Sequence, residues 1–109
     1  MKSYLIFNID GEIIEFKTNT ILSHKELNYS NQITISHENY NYLIFYNNNF
    51  THKLNLCKLI FINFDIYGNY LIFKLDKNHN LKNFTLKQAL KLTSNLNKFE
   101  FSDYSSDEY

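Results

Sequence analysis

The chain has no Arg, Val, Pro or Trp, only two Gly and a single Cys in 109 residues. Without Arg there is no planar fork for bidentate contact with phosphate or with base edges, and every positive side chain is a Lys point charge. A lone cysteine, Cys57, excludes an internal disulfide, fits a reducing compartment and reads as a core thiol. Eleven Lys balance eleven acidic residues, so no net field draws the chain to nucleic acid or to an anionic membrane surface. Long apolar runs are also missing. The first, Tyr4 to Phe7, stops at Asn8, far short of a signal-peptide core or a membrane span. A cytoplasmic location, or an intravirion one, and no membrane partner are therefore expected.

What is present is Asn, 17 residues of it, together with many Lys, Ile, Tyr and Phe. Their codons are A+T-rich, which points to an A+T-rich genome such as that of a large DNA virus or a plasmid. With Asn so frequent, the sequons at Asn28, Asn49 and Asn83 arise by chance and are not read as glycosylated. A hydrophobic content of 44% is enough for one modest core. The expected organisation is a single β-rich domain over residues 1–102 and a flexible acidic tail over 103–109. In that tail Ser105 and Ser106 precede Asp107 and Glu108, a setting for acid-directed phosphorylation.

Tyr-Leu-Ile-Phe occurs three times, at residues 4–7, 42–45 and 70–73. The flanks do not align, so the copies read as three similar strands and not as a solenoid. Asp10-Gly11 predicts a two-residue type I′ hairpin that places Phe7 opposite Ile14 and Leu5 opposite Phe16. Gly68-Asn69 predicts a second, type II′ hairpin between residues 58–67 and 70–76, pairing Ile66 with Leu71, Phe64 with Phe73 and Ile62 with Leu75. Two further strands, QITIS and YNYLIFY, join near His37-Glu38-Asn39, and a turn is expected at Asn47-Asn48-Asn49. Ser23 and Glu26 have capping-box spacing around a single helical turn. The one convincing helix starts at Thr85 as N-cap, with Gln88 closing the capping box and Phe84 stapled to Ala89, and runs to about Asn95. After it, Lys98 to Phe101 predicts an edge strand. The expected fold is α+β: a mostly antiparallel sheet or small open barrel built from hairpins, with one C-terminal helix packed on it. Its core is expected to bring Ile62, Phe64, Phe73, Leu75, Leu86 and Leu90 together.

An apolar strand running into Asn8-Ile9-Asp10-Gly11-Glu12 is similar to the first motif of the haloacid dehalogenase-like phosphatases, D-x-D-G-T. The resemblance implies that Asp10 matches the acid/base carboxylate of that family. It also puts Asn8, an amide that cannot attack phosphorus, at the nucleophile and Glu12, which repels phosphate, at the threonine. That family further requires a doubly wound parallel sheet, whereas this pattern gives hairpins. The stretch is therefore read as a hairpin, without catalysis.

His24, His37, His52 and His79 lack metal-ligand spacing, and no local motif pairs Cys57 with a histidine. No catalytic, cofactor-binding or metal residues are assigned. The second hairpin would expose Tyr67 and Tyr70 as a cross-strand pair beside Lys74, a surface suited to a partner protein or to base stacking. The expected function is a noncatalytic protein-interaction or structural accessory module that binds a protein partner or associates with itself. The alternative is a single-stranded nucleic-acid binder that uses Tyr67, Tyr70 and Lys74.

Overall fold

The computed structural model describes residues 1–47 and 51–93. Among the described residues, six strands and one helix follow in the order β1 (Lys2–Phe7), β2 (Ile13–Thr18), β3 (Asn31–His37), β4 (Tyr40–Asn47), β5 (Tyr67–Leu75), β6 (Leu81–Lys82) and α1 (Leu86–Leu92). They form one open antiparallel sheet in the spatial order β2-β1-β5-β4-β3, with β6 pairing the end of β5. The α+β class, a mostly antiparallel sheet with one short helix, is the one expected.

The three Tyr-Leu-Ile-Phe segments are the three central, adjacent strands. On β1 and β5 they run antiparallel with Leu5 opposite Ile72 and Phe7 opposite Tyr70. On β4 the copy is offset by one residue, with Leu43 opposite Phe73 and Ile44 opposite Ile72. Apolar residues at every position suit strands that are covered on both sides. One face, carrying Leu5, Phe7, Tyr42, Ile44, Tyr70 and Ile72, lies under residues 53–66 and α1. The other carries Tyr4, Phe45, Leu71, Phe73 and Leu75. The connection from β2 to β3 has to pass from one edge of the sheet to the other, and it brings His24, Leu27 and Tyr29 onto this second face. We call the two the helix face and the loop face.

The first hairpin forms, with a different turn. A type I′ turn needs positive φ at both central residues, and of the pair only Gly11, at φ 96, has it. The loop is instead Ile9-Asp10-Gly11, closed by Gly11 N donating to Asn8 O and Asn8 N donating to Glu12 O, with Gly11 as the left-handed residue of a bulge. This extra residue shifts the register by one, so Phe7 faces Ile13 and Leu5 faces Glu15. A one-residue shift exchanges the faces of the whole strand. Ile14 and Phe16 consequently leave the helix face, where Phe16 was expected opposite Leu5. Glu15 arrives there and reaches the start of the helix: Leu86 N donates to its Oε1 at 2.8 Å and Ser3 Oγ to its Oε2 at 2.9 Å.

The second predicted hairpin does not form. Gly68, at φ 82, lies inside β5 and not in a turn. The β4–β5 pairing shifts between Phe45 and Asn47, which makes this a bulge. Lys53 O accepts from Gly68 N, and Ile66 O accepts from Asn55 N. By running straight through Gly68, β5 gains partners along both edges, which a two-stranded hairpin would not provide. The pairs Ile66–Leu71, Phe64–Phe73 and Ile62–Leu75 are therefore absent, because Ile62, Phe64 and Ile66 belong to the helix face and Leu71, Phe73 and Leu75 to the loop face. The expected single core divides in the same way. Leu86 joins Ile62 and Phe64, and Leu90 points outward, 45% exposed.

Helix α1 has the expected start: Thr85 Oγ1 accepts from Gln88 N, Gln88 Oε1 accepts from Thr85 N, and Phe84 and Ala89 share the buried helix-face cluster. It ends at Leu92, short of the predicted Asn95. Thr93 turns extended and bridges Leu59, while Leu92 O accepts from Ile60 N at 2.7 Å, so a strand-like contact replaces the last turn. The β3–β4 hairpin turns at Glu38-Asn39 as read from the sequence, with Glu38 at φ 57. Ser23 and Glu26 also exchange both capping-box hydrogen bonds around a single turn. Asn48 and Asn49 of the predicted turn, the Lys98–Phe101 strand and the acidic tail lie outside the described residues.

Candidate interaction surface

The three contact residues read from the sequence do not make the surface expected of them. Tyr67, Tyr70 and Lys74 all lie on β5, so Tyr67 and Tyr70 are not a cross-strand pair. Tyr67 is half-buried at the start of the strand, opposite Asn47 and bridged to Leu54. Tyr70 is fully buried, because β5 is a central strand and not one arm of a free hairpin. Its ring stacks on Phe7 at 4.7 Å between centroids, and its hydroxyl donates to Cys57 O at 2.7 Å. Burial holds the Tyr70 phenol well above the ordinary tyrosine range. Lys74 is half-buried, with Nζ 4.0 Å from the centroid of the Tyr40 ring. Loss of water holds its ammonium below the ordinary lysine value, an effect that the Glu38 carboxylate offsets only in part. Its ammonium thus sits over a ring in a partly dehydrated setting.

The polar group that organises the helix face is Asn55. It is completely buried, with Nδ2 donating to Phe7 O and to Gly68 O at 3.0 Å each and Oδ1 accepting from Cys57 N at 3.1 Å. One side chain thereby ties residues 55–57 to β1 and β5, and it saturates two carbonyls and an amide that would otherwise be stranded. Sequence reasoning missed it, since one Asn among 17 carries no local mark. Next to it Cys57 is buried as read, and burial pushes its thiol up to about 11, so at neutral pH it is S–H and a poor nucleophile.

The histidines are scattered. His24 sits beside Gln32 and Phe45, His37 stacks on Phe61, His52 lies against Gly68, and His79 takes a left-handed turn position after Asp76. Among the described residues no group of three or more His, Cys, Asp or Glu side chains could hold a metal ion. A groove of about 270 Å³ opens at one end of the sheet between Ile9, Leu27, Tyr29, Asn47, His52 and Asn69. Two of its amide oxygens are already engaged in holding loops, Asn47 Oδ1 accepting from Ser30 N and Asn69 Oδ1 from Ile9 N. No helix among the described residues is long and apolar enough to cross a membrane.

The two edges of the sheet among the described residues differ from one another. β2 carries Glu15 and Lys17 in its six residues, and charge on an edge strand discourages further pairing. β3, Asn-Gln-Ile-Thr-Ile-Ser-His, has seven residues with no Lys, Asp, Glu, Gly or Pro and pairs β4 in unbroken register from Asn31 to His37. Its second backbone edge has no partner among the described residues. Ile33 and Ile35 pack half-buried against the helix-face core, and Gln32, Thr34 and Ser36 are exposed on the other side. An edge of this length, regularity and neutrality is a template for another strand.

No family model, curated protein or solved structure matches this chain.

Proposed function

We propose that this chain is a noncatalytic protein-interaction module that binds by accepting an extended segment along the open edge of β3. The observation that carries this reading is the contrast between an edge guarded by charge at β2 and a longer, uncharged, regular edge at β3. Backbone hydrogen bonds would supply the affinity, and the half-buried Ile33 and Ile35 would supply apolar contacts on alternate positions. The single-strand nucleic-acid reading draws less support. Its stacking residue Tyr70 is buried, its Lys74 lies over the Tyr40 ring, and the chain has neither Arg nor net positive charge.

The test is amide hydrogen exchange of the protein with and without a neutral extended peptide of alternating Ile and Thr. Added protection confined to residues 31–37 is the expected result. Tight, salt-sensitive binding of a labelled single-stranded oligonucleotide, with no protection of β3 by the peptide, would replace this reading with the nucleic-acid one.

A further inference from the structure

Resting on that reading of β3 as the binding edge, we infer that its partner is a second copy of the chain, paired β3 to β3 in antiparallel fashion about a two-fold axis through Thr34. An antiparallel edge is self-complementary in its backbone groups, so one strand can serve as both template and partner. Centring on Thr34 places Ile33 opposite the second copy's Ile35, and Gln32 opposite its Ser36. The two half-exposed isoleucines of each copy then complete one another on the helix face, while the exposed polar residues meet on the other. With no charged residue from Asn31 to His37 and a net charge of zero, no like charges oppose the approach.

Closure also distinguishes this pairing from the other ways of joining edges. Joining β3 of one copy to β2 of the next would be head-to-tail and would leave an open edge at each end, so it would propagate. Pairing β3 with β3 closes at two copies, and the edges then remaining among the described strands are both β2, whose Glu15 is already held by Leu86 N and Ser3 Oγ. The product is one continuous sheet across two chains, bounded on both sides by charged strands.

The experiment uses the full chain and three variants of Thr34, whose exposed side chain leaves the core untouched. Sedimentation equilibrium across the micromolar to millimolar range should show a monomer–dimer equilibrium for the wild type. Thr34→Lys and Thr34→Glu each set like charges directly across the two-fold axis, so each alone should weaken the dimer severalfold, while circular dichroism and melting at concentrations where the wild type is monomeric stay those of the wild type. An equimolar mixture of the two should recover association as a heterodimer. Thr34→Val, which adds no charge, should dimerise like the wild type. A dimer indifferent to the Lys and Glu variants would overturn the β3 pairing. A monomer at every concentration whose β3 amides are nonetheless protected by the Ile-Thr peptide would overturn self-pairing and leave the edge-binding function standing. A monomer whose amides are not protected would remove both.

Discussion

The two faces of the sheet hold together by different physics. On the loop face the buried groups meet ring to ring: Tyr4 lies 4.8 Å from Phe73 between centroids, and Phe45 meets Phe73 edge-on at 5.6 Å. On the helix face rings are also stacked, yet the layer of irregular chain over them is fastened by hydrogen bonds from two buried polar side chains, Asn55 and Tyr70. The difference follows from what covers each face. Residues 53–66 bring a long stretch of backbone with few strand partners down onto the sheet, and its peptide groups need partners once water has left. Among the described residues no buried side-chain nitrogen or oxygen is without one. The loop face, by contrast, needs chiefly the removal of apolar surface from water.

Three substitutions would break or sharpen that contrast. Phe73→Ala has the largest expected effect, about 3–5 kcal/mol, as a large-to-small change at a fully buried ring. A chemical denaturation midpoint equal to that of the wild type would show that the loop face is no core. Asn55→Ala should cost about 1–3 kcal/mol, because water entering the space left by the amide would satisfy part of what the side chain satisfied. Its distinguishing mark is local. Exchange of the Cys57 amide should accelerate beyond the global change, whereas Phe73→Ala should raise exchange only through overall stability.

Glu15→Gln should have the smallest effect and the clearest pH signature. Hydrogen bonds from Leu86 N and Ser3 Oγ hold the Glu15 carboxyl below its ordinary value of 4.5 in the folded protein. A depressed folded value means that its contribution is fully present above pH 4.5 and is lost as pH falls through the folded value. The melting temperatures of wild type and Glu15→Gln should therefore differ most at neutral pH and converge in acid. A gap that stays constant between pH 7 and pH 3 would show that the carboxylate does not hold the helix start through its charge.

The strands and the helix start were legible because their signals are local. Alternation in QITIS, the repeated Tyr-Leu-Ile-Phe, and the Thr85 to Gln88 spacing each act over a few residues and hold in the fold. The two turn types were not. Asp-Gly and Gly-Asn each permit a tight hairpin, but a glycine with positive φ serves a bulge equally well, and both glycines here do so. The contact surface failed for the same reason: Tyr67, Tyr70 and Lys74 were exposed only if the chain reversed at Gly68. The edge that carries the proposed function lies within a strand read correctly as a strand, though nothing in its seven residues told which strand would be outermost.

By itself, then, the sequence determined how much could be buried, where most strands run and where the helix begins, because hydrophobic periodicity and capping are properties of neighbours along the chain. Strand order was decided only in three dimensions. Placing β5 between β1 and β4 gives all three Tyr-Leu-Ile-Phe segments partners on both sides, a gain that appears only once residues some 30 to 70 positions apart have met. The same ordering seals Tyr70 in the interior, converts Asn55 from one asparagine among many into the fastener of a face, and leaves β3 outermost among the described strands. Local pattern specifies the elements, while competition among distant pairings decides which of them are buried and which lie at an edge among the described residues.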